Sequence, residues 1–148
     1  MSGFWFEDVV EGFELPPFEL PLTVQRLVME AAANRDFAPI HHDRELARAS
    51  GAPDMYANTM LLQGLFEATS RQWMGLAGRL TKLGFGMRVF NCVGEVVTGR
   101  GRVTRTRLDA DAGLVDLEIW SETAAGVTAH GTATVSLPRR RGDDGSRL

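Results

Sequence analysis

The chain has 148 residues, 44% apolar and 24% charged, a composition that fits one soluble domain with a sizeable core. A net charge of −3 leaves no basic surplus for nucleic acid, and the single cysteine, Cys92, excludes an internal disulfide and a cysteine-rich metal site. No apolar run approaches the roughly 18 residues of a membrane span, and the N-terminus soon turns acidic at Glu7-Asp8, unlike a secretory leader. A cytoplasmic setting is the default expectation.

In chain order, residues 1–17 read as an irregular lead-in anchored by Phe4, Trp5 and Phe6, and Pro16-Pro17 bars helix there. Phe18–Leu22 alternates apolar and polar residues. It predicts a short strand, at a sheet edge because Pro21 donates no hydrogen bond. Thr23 suits an N-cap, and Val24, Leu27, Val28 and Ala31 recur at helical spacing, which predicts a helix over 24–34. Asp43 suits the cap of a short helix over 44–49, closed by Ser50-Gly51. Ala52–Asn58 should be extended, since Pro53 restrains Ala52 and Tyr56 favours strand. The longest helix runs from Thr59 or Met60 to Met74. Its stripe of Leu61, Leu62, Leu65, Phe66, Thr69 and Trp73 predicts a buried central helix, ended by Gly75 and Gly78.

Strand patterns fill the remainder. They cover 80–90, 93–106, 114–122 and 127–137, with a turn at Asp109–Gly113 and a hairpin at Ala124-Ala125-Gly126. On the last strand Val127, Ala129, Gly131, Ala133, Val135 and Leu137 fall on one face. Pro138 ends it, so a domain over 1–138 and a polar tail over 139–148 are expected. The class is α+β. A strongly bent antiparallel sheet wrapping one long apolar helix, the hotdog architecture, is the compact way to cover such a helix.

The stretch best suited to chemistry is Asn34-Arg35-Asp36-Phe37-Ala38-Pro39-Ile40-His41-His42-Asp43. Pro39 fixes its own φ and drives Ala38 out of the helical region, so Asp36 and His41 should stand on an ordered loop. A carboxylate and an imidazole aimed at one point suit general acid–base work. Purely local roles fit the same residues. Asp36 can bond its own backbone in a turn, His41 and His42 can be solvated, and Asp43 can be a plain cap. Metal binding is not expected, because neighbouring His41 and His42 point apart on extended backbone and no third histidine is near.

This stretch resembles the signature of the MaoC-like, (R)-specific enoyl-CoA hydratases. That signature runs Gly-Asp-x-Asn-Pro-aliphatic-His, then five residues, then Ala or Ser. Here it stands as Arg35-Asp36-Phe37-Ala38-Pro39-Ile40-His41, five residues, then Ala47. The order of elements extends the likeness over about residues 5–138. Arg35 replaces the family's glycine, Ala38 its asparagine, and Asn58-Thr59 the His-Gly that usually opens the central helix. These departures are similar to the small subunits of actinobacterial steroid side-chain enoyl-CoA hydratases.

The resemblance implies hydration of a trans-2-enoyl-CoA to a 3-hydroxyacyl-CoA, on a bulky, steroid-like acyl group. Asp36 and His41 would be the catalytic pair, with the division of roles between them open. The thioester oxygen would meet the start of the central helix at Asn58, Thr59 and Met60, where free N–H groups and the helix dipole favour negative charge. Asn58 equally suits an N-cap. Arg35, Arg100 and Arg102 are candidate contacts for the CoA phosphates, although surface ion pairs and a solvated strand face account for them as well. No cofactor is implied beyond the coenzyme A of the substrate. The implied partner is a second copy or a larger MaoC-like subunit, with no nucleic acid and no membrane. A hotdog acyl-CoA thioesterase, dehydration of an acyl-carrier substrate and a non-catalytic subunit that completes a partner's pocket are the alternatives.

Overall fold

The apolar stripe of residues 59–74 becomes the axis around which the rest is built. The computed structural model describes residues 4–109 and 112–140. Its elements are β1 (Phe18–Pro21), α1 (Val24–Ala33), α2 (Arg44–Ala49), α3 (Thr59–Met74), β2 (Arg79–Met87), β3 (Val96–Asp109), β4 (Ala112–Thr123) and β5 (Gly126–Leu137). Short 3-10 turns lie at Phe6–Asp8 and Pro39–His41. All five strands join one antiparallel sheet in the order β1-β3-β4-β5-β2, with the proline-bearing β1 at an edge as expected. The sheet curls around α3, which is the hotdog arrangement.

Alternation along the strands decides what faces the helix. On β4, Val115, Leu117 and Ile119 are buried; on β5, Ala133, Val135 and Leu137 are. They pack against Leu62, Leu65, Phe66 and Met74 of α3, and Phe66 meets Phe85 of β2 with ring centroids 5.0 Å apart. At Gly99 of β3 a Cβ would run into Thr69 and Leu65, so the sheet comes this close to the helix because a glycine is there. No helix among the described residues is long and apolar enough to cross a membrane.

Several boundaries differ from the sequence expectation. The strand predicted to reach Phe90 ends at Met87, because the N–H groups of Arg88 and Val89 both turn to the Thr128 carbonyl (2.8 and 3.2 Å). The strand predicted from Val93 starts only at Val96. A turn closed from Glu95 N–H to the Cys92 carbonyl, with Gly94 at φ 91°, occupies the gap. Strands β3 and β4 continue until Asp109 faces Ala112, which shortens the expected turn; Ala110 and Asp111 lie outside the described residues. Val127 is exposed rather than facing the core, since the β4–β5 register shifts next to Ser121 and buries Thr128 instead. Only a single bridge, Tyr56 to Cys92, marks the segment 52–58 as extended. Most of the predicted tail, residues 141–148, lies outside the described residues.

Candidate active site

The site begins with how α1 ends. Arg35 N–H donates to the Ala32 carbonyl (3.1 Å) and Asp36 N–H to the Ala31 carbonyl (2.9 Å), the paired bonds of a Schellman motif. That motif requires a left-handed residue at its turn, and Arg35 occupies it at φ 56°. A non-glycine residue is strained there. Arg35→Gly is therefore expected to raise stability by roughly 0.5–1 kcal/mol, read as a higher denaturant midpoint at unchanged slope. A lower midpoint would show that the arginine side chain contributes more than its backbone costs. The motif fixes the backbone of Asp36 directly against the helix end.

From there the carboxylate is held on three sides. Asp36 Oδ1 accepts from Ala38 N–H at 3.3 Å, and Oδ2 accepts from Asn58 Nδ2 at 2.9 Å. His41 Nε2 lies 3.2 Å from the same Oδ2. The Asn58 amide, with the Ala38 N–H and the His41 ring, holds the Asp36 carboxyl below its usual range against the opposing effect of partial burial. His41 itself is buried, carried on the 3-10 turn that Pro39 opens. Its Nδ1 lies 2.7 Å from the Tyr56 carbonyl oxygen, an acceptor only, so Nδ1 carries a proton and donates it there. The tautomer is thereby fixed, and Nε2 is the ring nitrogen turned to Asp36.

Asn58 joins the helix to the pair. Its Oδ1 accepts from Leu61 N–H at 3.0 Å, which caps α3, while its Nδ2 is the donor to Asp36. Leu61 N–H is thus occupied. Thr59 and Met60 retain first-turn N–H groups without intrahelical acceptors. Both residues line, with Asp36, Ile40, His41 and Asn58, a cleft of about 280 Å³.

Other candidates are not brought to this cleft. Val97, Gly99, Gly101 and Val103 of β3 turn inward, so Arg100 and Arg102 project from the opposite face of the sheet. There Arg100 pairs with Glu122, and Arg102 pairs with Glu14 at 3.2 Å. Neither arginine lines the cleft, because strand alternation sets both on the outer face of the sheet. Arg35 is exposed and forms no ion pair among the described residues. Conversely, the Tyr56 carbonyl and Glu30 of α1 are parts of the neighbourhood that sequence reasoning passed over. A backbone oxygen carries no sequence signal, and Glu30 falls off the apolar stripe of α1 with nothing local to distinguish it.

No family model matches the chain. A relative from Mycobacterium tuberculosis, the beta subunit of 3-oxo-4,17-pregnadiene-20-carboxyl-CoA hydratase, is 31% identical over 131 residues, which cover 88% of this chain and 97% of the relative. The chain belongs to the MaoC-like hydratase family. Membership makes it an enzyme of the hydro-lyase class, as the Asp36-Pro39-His41 signature implied. The ChsH1-ChsH2 complex of the same organism contains a chain that superposes with a TM-score of 0.79 at 27% identity, over 87% of this chain and 98% of its own. An (R)-hydratase from A. caviae involved in PHA biosynthesis shares the hotdog fold, with a TM-score of 0.81 at 24% identity over 89% of this chain and 99% of its own.

Proposed function

We propose that this MaoC-like hydratase is the small, catalytic subunit of a heteromeric enoyl-CoA hydratase. It adds water across a trans-2-enoyl thioester whose acyl group is bulky and steroid-like. The observation that carries this reading is the Asp36–His41 pair at 3.2 Å, with the far ring nitrogen committed to the Tyr56 carbonyl. Two acceptors flank the imidazole, so a doubly protonated ring satisfies both contacts. In that state Asp36, held ionised, takes a proton from water as its oxygen attacks C3, and His41 Nε2–H supplies the proton that C2 receives. The pair ends with the proton on the carboxyl and the neutral ring, and one transfer between the two restores it. Charge driven onto the thioester oxygen meets the N–H groups of Thr59 and Met60 at the positive end of α3.

The family membership, with a relative named as a beta subunit and a neighbour solved as a two-component complex, supports the heteromer. So does the exposure of Phe37, 74% accessible immediately beside Asp36, which a partner or a bulky acyl group would cover. The test is loss of the enoyl-thioester ultraviolet band with crotonyl-CoA and with a steroid side-chain enoyl-CoA, on this chain alone and with a larger MaoC-like subunit. Turnover of the steroid thioester only in the presence of the partner is the expected result. Turnover of crotonyl-CoA by the chain alone would indicate a self-sufficient homodimer. Release of coenzyme A without hydration would indicate a thioesterase.

A further inference from the structure

One carboxyl beside the catalytic pair takes no part in the proton transfers, that of Glu30 on α1. Its Oε1 accepts from the side-chain amide of Asn34, the residue that closes the helix. Its Oε2 is covered and has no hydrogen-bond partner among the described residues. A covered carboxyl oxygen left unpaired is unfavourable, and native structures rarely keep one without a reason. The side chain faces the first turn of α3, since Glu30, Met60 and Leu61 line the same hollow. Asn58 caps that turn, and its amide and the His41 ring both act on the Glu30 carboxyl.

The Asn58 amide has a hydrogen to spare. Its Oδ1 accepts from Leu61 N–H, and one of its two Nδ2 hydrogens goes to Asp36 Oδ2. The second has no acceptor among the described residues, and Glu30 Oε2 has no donor, so each supplies what the other lacks. The way this amide is turned matters. Reversed, it would set Oδ1 against the Asp36 carboxylate and Nδ2 against Leu61 N–H. The other charged groups near Glu30 are Asp36 and His41 of the loop and Arg26 one turn earlier on α1, whose guanidinium goes to the Pro21 carbonyl. In the shared hollow β1 and α3 add only apolar residues around it.

We propose that Glu30 is a positioning residue for hydration: its carboxylate draws the second Nδ2 hydrogen of Asn58 and so keeps that amide turned to grip Asp36. Glu30 touches neither the water nor the thioester and acts through Asn58. It ties the end of α1, where Asp36 leaves the helix, to the start of α3, where Thr59 and Met60 present their N–H groups. The effect on turnover rests on the hydratase reading, whereas the contact between Glu30 and Asn58 does not.

The first arm of the test is heteronuclear NMR of the wild-type protein, with both carboxyls and the Asn58 Nδ2 hydrogens followed as pH changes. Desolvation pushes the Glu30 carboxyl up, while the Asn58 amide holds that of Asp36 low, so Asp36 ionises at the lower pH. One Nδ2 hydrogen is expected to shift with the Asp36 step and the other with the Glu30 step. A second hydrogen that ignores Glu30 overturns the inference, and no variant need fold for that result. The second arm is Glu30→Gln, measured by NMR and by turnover in the active complex. The new amide offers a donor either to Asn34 or to Asn58, both of which are donors, so one contact is lost. Removal of a negative charge by itself would lower the Asp36 carboxyl further, whereas release of Asn58 raises it. The expected result is a rise, with kcat about tenfold lower, the rate equivalent of one net hydrogen bond, and KM little changed. Adding Asn34→Asp to Glu30→Gln gives the new amide an acceptor and turns its oxygen to Asn58, which should restore both kcat and the low Asp36 carboxyl. A fall of that carboxyl in Glu30→Gln, unchanged kcat, or no rescue by Asn34→Asp overturns the inference. Hydration by a wild-type protein whose Asn58 ignores Glu30 removes this inference and leaves the hydratase reading intact. The expected NMR steps without hydration remove the hydratase reading and leave the contact between Glu30 and Asn58 assigned.

Discussion

Asp36→Asn is expected to lower kcat for enoyl-thioester hydration by about 10²–10⁴-fold, the range for loss of a positioned acid–base group. The substitution nearly preserves shape. It replaces two acceptor oxygens with one, so the contacts from Ala38 N–H, Asn58 Nδ2 and His41 cannot all survive. One hydrogen bond lost at a partly exposed site costs about 1 kcal/mol, which a thermal melt will register as a small fall. The kinetic effect should be far larger than the structural one. Steady-state kinetics on the active complex, with melting of the same preparation, separate the two. Unchanged kcat in the variant would mean that this subunit is not the catalyst and instead shapes a pocket whose chemistry belongs to its partner.

Replacing Asn58 should disturb two properties at once, and two variants separate them. Asn58→Ala removes the cap bond to Leu61 N–H, for which about 0.5–2 kcal/mol of stability is expected to be lost at every pH. It also removes the Nδ2 donor, the largest influence holding the Asp36 carboxyl low. A carboxyl whose folded pKa is depressed contributes stability that is present above its unfolded pKa of about 3.9 and is lost as pH falls through the folded value. Without Asn58 the folded value rises towards the ordinary range. That pH-dependent contribution shrinks, and the acidic limb of kcat/KM moves to higher pH. Asn58→Asp keeps a good cap but sets a second carboxylate against Asp36, so it should be more stable than the alanine variant and move the limb at least as far. A limb that stays in place in both variants would show that Asn58 is a cap and nothing more to the catalytic pair.

These expectations draw on features of different visibility. Thr23, Asp43 and Asn58 each cap the helix that the pattern after them predicted. A cap is a contact between a side chain and an N–H three residues on, so the sequence contains both partners side by side. The Asp36-Pro39-His41 loop was legible for the same reason, and so was the apolar stripe of α3, whose 3.6-residue period is set by backbone geometry alone. The left-handed backbone at Arg35 was half legible, since the family glycine marks the position, yet only the fold shows the strained turn that α1 makes there.

What tertiary structure decided lies between elements. The Asn58 amide reaches Asp36 across 22 residues, and the Tyr56 carbonyl fixes the His41 tautomer across 15. Alternation alone told that Arg100 and Arg102 share a face; the packing of Val97 and Val103 against α3 decided which face, and it points away from the cleft. The shifted register beside Ser121 likewise turned Val127 out and Thr128 in. Contacts three or four residues apart follow from the geometry of one helix or strand, so this sequence determined its elements and the residues of its Asp36–His41 loop. Which of those residues meet, and which face water, depends on how distant elements pack, and only the folded chain contains that information.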